Sequence, residues 1–203
     1  LLACAILPRC VALLAVPLAL PTMLWWRSAW LGAGFYGWLG TLGRSDAELI
    51  ALRDHWLDGS RIARAKILIE PAFARLRVHL ERGERVLVVT GAEVGLARAL
   101  WRVLDGPDVE FVGSRMRRRL GGHVPVQHCV GPRKLVALAR LGVHPPFAAM
   151  YSDSTRDLPL LRAAECAVLV EPSARTVARV RREIPHLEVI GPVRGAGPPA
   201  TAA

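Results

Sequence analysis

The chain has 203 residues, with 27 Lys and Arg against 17 Asp and Glu, a formal charge of +10 and a pI near 10.8. That length suits one sizeable domain with a small appended subdomain, and that charge favours an anionic partner: a phosphorylated ligand, an acidic lipid surface or nucleic acid. The cysteines Cys4, Cys10, Cys129 and Cys166 show no Cys-x-x-Cys spacing and no companion His cluster, which argues against a zinc site or a disulfide framework and for a reducing compartment.

The first segment, Leu1 to Trp26, is almost wholly apolar but is broken by Pro8, Pro17 and Pro21. Its run from Cys10 to Trp26 is slightly short for a membrane span, and the prolines would kink a helix. Trp25, Trp26, Arg27 and Trp30 follow, an aromatic and basic cluster of the kind found at membrane interfaces. Membrane association is expected ahead of a buried helical hairpin. The chain begins Leu1-Leu2 without methionine and is read as a fragment or a processed form.

The glycine- and aromatic-rich stretch from Gly32 to Gly43 reads as a close-packed connection. Ser45-Asp46-Ala47-Glu48 forms a capping box, opening a helix with Leu49, Leu52 and Trp56 on one face and Gly59 as its stop. Pro71 opens another helix, with Phe73, Leu76 and Leu80 inward and Gly83 ending it. Strands and helices then alternate. Strands are expected at Arg85–Val89, Val109–Val112, Phe147–Met150, Ala167–Val170 and Leu187–Ile190. Helices are expected around Val94–Leu104, at Lys134–Leu141, from the Asp153 loop through Ala164, and at Ala174–Ile184. Arg115 to His128 reads as a hairpin turning at Gly121-Gly122. The alternation predicts an α/β fold with a parallel sheet. The Gly/Pro/Ala-rich tail from Gly191 reads as disordered.

Three sites carry chemistry. Asp153 and Asp157 lie four residues apart after an apolar run, at the carboxyl end of a predicted strand, where open α/β sheets bind ligands. Hard oxygen ligands there suit Mg²⁺ and, through it, phosphate; an acidic helix start is the plainer alternative. Thr90 ends a predicted strand before Gly91, where a hydroxyl and free N–H groups can hold a phosphate; a helix N-cap is its alternative. Lys134 follows Gly131-Pro132 near a helix start, where the dipole does not favour a cation, so it is read as phosphate-binding or simply exposed. The run Arg115-Met116-Arg117-Arg118-Arg119 lacks interleaved aromatics. It reads first as a charged hairpin face and second as attractive to anionic lipid, and no nucleic-acid partner is expected.

In that order the chain resembles a haloacid dehalogenase (HAD) superfamily phosphatase. Val88-Val89-Thr90-Gly91 is similar to its second motif, Lys134 to its third, and Asp153 with Asp157 to its acidic loop. Within the superfamily it is most similar to phosphatidylglycerophosphatase C. The likeness rests on Tyr151 through Leu161, Trp38-Leu39-Gly40 and Gly43-Arg44-Ser45-Asp46, and runs from about Leu1 to Glu188. It departs at Thr90-Gly91-Ala92-Glu93, at Gly131-Pro132-Arg133-Lys134 and at Gly43-Arg44-Ser45. The family's first motif, an Asp-x-Asp nucleophile pair, occurs nowhere in the 203 residues.

The resemblance implies a three-layer, Rossmann-like α/β fold. Residues 1–70 would form the apolar, membrane-associated cap region, 71–190 the core and 191–203 the tail. The central first strand would be missing, with a gap or a non-native pairing between the strand ending at Thr90 and the strand ending at Tyr151. It further implies a two-step, Mg²⁺-dependent phosphoryl transfer through an aspartyl-phosphate, with Thr90 and Lys134 on the phosphate. Asp153 would ligate the metal directly, and Asp157 would do so through water or orient the loop. The implied substrate is a phosphate monoester on an anionic phospholipid head group, phosphatidylglycerol phosphate. The implied place is the bacterial inner membrane, with the catalytic domain facing the cytoplasm. A soluble phosphoserine-type phosphatase and a non-catalytic membrane-associated binding protein are the alternatives. Lacking the nucleophile, the chain is expected to be inactive.

Overall fold

The computed structural model describes residues 29–59 and 68–195. The apolar segment Leu1 to Trp26 and its flanking Arg27 lie outside them. Among the described residues no helix is long and apolar enough to cross a membrane. The elements run α1 (Ala29–Thr41), α2 (Asp46–Gly59), α3 (Glu70–Glu81), β1 (Leu87–Glu93), α4 (Val94–Val103), β2 (Glu110–Arg119), β3 (Gly122–Gln127), α5 (Arg133–Ala139), β4 (Phe147–Ser152), a 3₁₀ turn (Thr155–Asp157), α6 (Leu158–Leu161), β5 (Ala164–Val170), α7 (Ala174–Arg181) and β6 (Glu188–Ile190).

The strands form two sheets. In one, β1 pairs parallel with β2, and β2 pairs antiparallel with β3; in the other, β4, β5 and β6 are all parallel. Among the described residues no strand pairs β1 with β4, the place where the gap is expected. Side chains rather than ladder hydrogen bonds join the sheets. Leu87 and Val89 of β1, Val112 of β2, Ala137 and Leu138 of α5, Leu160 of α6 and Phe147 and Met150 of β4 share one apolar cluster. A second cluster, with Leu161, Ala167, Leu169, Val180 and Leu187 at its centre, packs α6 and α7 onto β5.

Successive strand residues face opposite sides of a sheet. Met150 enters the cluster that contains α5, while its neighbour Tyr151 meets His79 of α3, with ring centroids 5.6 Å apart. Helices α3 and α5 therefore cover opposite faces of β4, which gives three layers. Helix α3 also reaches across both sheets. Phe73 stacks on Trp101 of α4 with centroids 5.4 Å apart, and Arg75 pairs with Glu188 of β6 at 2.6 Å.

Several expectations from the sequence are corrected. Gly32 to Gly43 is not a connection: through Thr41 it lies in helix α1. Its glycines allow a close approach, since a Cβ on Gly34 would stand 3.5 Å from the Pro125 ring and one on Gly37 3.6 Å from Met116 Cε. Packing against the β2–β3 hairpin outweighs the poor helix propensity of glycine. In α2 the capping box forms, with the Glu48 amide donating to Ser45 Oγ at 3.2 Å and the Ser45 amide donating to Glu48 Oε2 at 2.6 Å. Its inward side is set by buried Leu57, however, while Leu52 and Trp56 are 48% and 59% exposed. The helix expected through Ala164 is only the 3₁₀ turn and α6, because Ala164 already belongs to β5. Gly191 to Gly195 is ordered, and Arg194 hydrogen-bonds back to the carbonyl of Pro172.

The hairpin carries the first prediction. A Cβ on Gly122 would lie 2.5 Å from the Trp38 carbonyl oxygen, which is backbone and has no rotamer to yield. Gly122→Ala is expected to cost about 1–3 kcal/mol by overpacking, read as a drop of roughly 2–4 °C in Tm per kcal/mol for a chain of this size. An unchanged Tm would refute the α1–hairpin contact.

Candidate active site

Strand β4 ends in Tyr151-Ser152, and the chain then turns through Asp153 and Ser154 into the 3₁₀ turn. Ser154 caps that turn, its Oγ accepting from the Arg156 amide at 3.2 Å. The turn brings Asp157 back beneath β4, where it is 8% exposed. There Lys134 Nζ lies 2.7 Å from Asp157 Oδ1 and donates to Oδ2 at 2.8 Å. Ser152 Oγ donates to the same Oδ2 at 2.9 Å and accepts from the Ser154 amide at 3.1 Å. Lys134 and Ser152 are also 8% exposed.

This is a buried ion pair with a hydroxyl on one oxygen. It answers why a cation tolerates the second position of α5: the carboxylate offsets the unfavourable helix dipole. Cys129, fully buried, lies close enough to feel both charges. Burial pushes its thiol up, Lys134 pulls against that and Asp157 adds to it.

Thr90 lies inside β1 rather than at its end, because the strand continues to Glu93 through an irregular register. Nor does Thr90 cap α4: that role falls to Glu93, whose carboxylate accepts from the amides of Gly95 and Leu96, both at 2.8 Å. Thr90 Oγ1 instead accepts from the Ala92 amide at 3.1 Å, leaving its own proton to donate to an anion.

The last part of β1, after Thr90, meets the turn before Lys134. Ser114 Oγ donates to the Gly91 carbonyl at 2.7 Å and accepts from the Cys129 amide at 3.1 Å. A Cβ on Gly91 would stand 3.2 Å from Val130. On the other side, a Cβ on Gly131, where φ is +56°, would stand 3.7 Å from the Arg156 carbonyl. Three segments far apart in sequence thus converge at the carboxyl ends of β1 and β4.

Asp153 and Asp157 have different surroundings. Asp153 is 62% exposed, and Arg194 NH2 is 3.7 Å away. Asp157 is committed to Lys134 and Ser152. Among the described residues no three His, Cys, Asp or Glu side chains cluster as a metal site. Mg²⁺ commonly takes one or two carboxylates, keeps several waters and completes its shell with substrate phosphate. Asp153 fits as one such carboxylate, and Asp157 fits as the residue that orients the loop. Two partners are not singled out by sequence reasoning: Ser152, which fixes Asp157, and Ser114, which ties Gly91 of β1 to Cys129. Their signal is only a serine at an inward position near the end of an apolar strand, and many structural serines share it.

A haloacid dehalogenase-like hydrolase domain matches residues 35–162. Phosphoserine phosphatase SerB1 of Mycobacterium tuberculosis (strain ATCC 25618 / H37Rv) is 33% identical over 148 residues, which is 68% of this chain and 46% of that protein. ML2424 of Mycobacterium leprae (strain TN) is 30% identical over 155 residues, 68% of this chain and 48% of that protein. The chain therefore spans about half the length of the curated relatives it matches. A crystal structure of a protein of unknown function from Bordetella pertussis Tohama I shares the fold, with a TM-score of 0.60, 20% identity and coverage of 81% of this chain and 73% of that one. With that domain matched over residues 35–162, more than half of its length, the chain belongs to the haloacid dehalogenase-like hydrolases.

Proposed function

We propose that the chain is the phosphate- and metal-binding portion of a Mg²⁺-dependent phosphatase acting on phosphate monoesters. The observation that carries this reading is the approach of the β1 segment with Thr90 and Gly91, the turn before Lys134 and the Asp153–Asp157 loop to one another. In the proposed complex the Thr90 hydroxyl donates to a phosphate oxygen. Lys134 supplies positive charge from below, held in place by Asp157. Asp153 is the residue that would hold Mg²⁺, whose contribution is to neutralise charge on the transferring phosphoryl group. The reaction also needs a carboxylate nucleophile, and with no Asp-x-Asp among the 203 residues it would come from outside them.

Phosphoserine-like substrates are favoured by the name of the mycobacterial relative. A phospholipid head group is favoured by the exposed arginines on β2 beyond the carboxyl end of β1.

Calorimetric titration with inorganic phosphate tests the site. Affinity is expected to rise with added Mg²⁺. Asp153→Asn is expected to abolish that rise, and Thr90→Val to weaken binding roughly tenfold, as for one hydrogen bond to a charged group. Both substitutions fall on exposed or half-buried side chains, so the fold is expected to persist. Phosphate affinity indifferent to Mg²⁺ and to both substitutions would sink the proposal.

A further inference from the structure

Strand β2 is longer than its partner β1. Their last paired residues are Glu93 and Ser114, and Arg115 to Arg119 continue beyond, paired only with β3. The hairpin thus projects past the carboxyl end of β1. Arg115, Arg117, Arg118 and Arg119 are all exposed. Opposite them stand Gln127, Val124, His123 and Gly122, none of them a carboxylate. Among the described residues no ion pair involves these four arginines. Asp46, the acid that reaches the hairpin, pairs with His123 at 3.0 Å.

At the tip, Leu120 is 90% exposed. It is not a frayed end. Trp38 Nε1 donates to the carbonyls of Arg119 and Leu120 at 3.1 and 3.2 Å, and the Gly43 amide donates to the Gly121 carbonyl at 2.8 Å. The His123 amide donates to Thr41 Oγ1 at 2.7 Å. Four hydrogen bonds to the end of α1 therefore hold a bare leucine outward beside uncompensated arginines. Val126 on the neighbouring strand is 52% exposed.

We propose that the β2–β3 hairpin is a docking surface for an anionic bilayer. Leu120 enters the interface, and Arg115, Arg117, Arg118 and Arg119 engage lipid phosphates. Single-stranded nucleic acid would call for aromatic platforms among the basic residues, and the run from Arg115 to Arg119 interleaves none. The surface is independent of the phosphatase reading, because it needs neither the metal nor a nucleophile.

The test is co-sedimentation of the full 203-residue chain with vesicles of phosphatidylcholine alone or with one-quarter phosphatidylglycerol. The apolar N-terminal segment is kept in every variant. Binding is expected to require phosphatidylglycerol and to weaken as salt rises. Replacing Arg117, Arg118 and Arg119 together by glutamine is expected to lower the partition coefficient about a hundredfold, near fivefold per arginine. Leu120→Asn, which tolerates the positive φ of 47° at this position, is expected to lower it roughly tenfold. Circular dichroism melts of both variants are expected to match the parent, since the altered side chains face solvent. Equal binding to neutral vesicles, unchanged binding of the arginine variant, or tighter binding to an oligonucleotide than to the anionic vesicles would each overturn the proposal.

Discussion

Lys134→Met is expected to cost the fold about 3–5 kcal/mol, because it leaves the Asp157 carboxylate buried with, among the described residues, only Ser152 as a side-chain partner. The methionine side chain fills nearly the same volume, so the loss is electrostatic rather than a cavity. Removing both charges should restore much of the stability: Lys134→Met with Asp157→Leu is expected within about 1–2 kcal/mol of the parent, since well-packed apolar pairs often replace buried ion pairs at little cost. Urea unfolding of the two single variants and the double variant measures the coupling directly. A single-variant loss below about 1 kcal/mol would mean that the pair is as weak as a surface salt bridge. The two oxygen contacts from one ammonium would then not describe the folded state.

Turnover is the second large effect. With the 203 residues alone, release of phosphate from phosphoserine, p-nitrophenyl phosphate or a phosphatidylglycerol phosphate is expected to stay at the buffer background, with or without Mg²⁺. The reason is chemical. An aspartyl-phosphate route splits one difficult displacement into two easier ones, and it needs a carboxylate in line with phosphorus. Asp157 is held by Lys134 and Ser152. Asp153 is the residue assigned to the metal, and the sequence holds no Asp-x-Asp. Metal-dependent turnover by the purified chain that disappears in Asp153→Asn would overturn this expectation. It would also show that a nucleophile other than the family's pair is at work. Phosphate binding without turnover would support the binding half of the proposal.

Much of the architecture could be read along the chain. Apolar runs marked five of the six strands and most helices, and the turn at Gly121-Gly122 marked β3. The capping box at Ser45, the stop at Gly83 and the turn at Gly121 are local chemistry, and the structure has each in place. Asp153, Asp157, Thr90 and Lys134 were legible as a set because family order links them. Strand lengths were less legible: β1 and β2 both outrun their apolar cores, since pairing with a neighbour extends a strand through polar residues such as Thr90 and Arg117. Helix α1 was hidden for a related reason. Glycines argue against a helix in isolation and for one when a hairpin lies close against them.

The sequence by itself determined which functional groups are available near the site, because the hydroxyl of Thr90, the ammonium of Lys134 and the carboxylates of Asp153 and Asp157 are fixed by residue identity. It also determined that the hairpin carries the basic run Arg115 to Arg119. Only the tertiary structure decided how those groups divide their work. Asp153 and Asp157 are equivalent as letters four apart. Burial then commits Asp157 to Lys134 and Ser152 and leaves Asp153 in solvent. That difference depends on what the surrounding elements bring within hydrogen-bond reach: α5 from beneath and the end of β4 from behind. Local spacing cannot carry it, because a carboxylate's role is set by the dielectric and the partners around it.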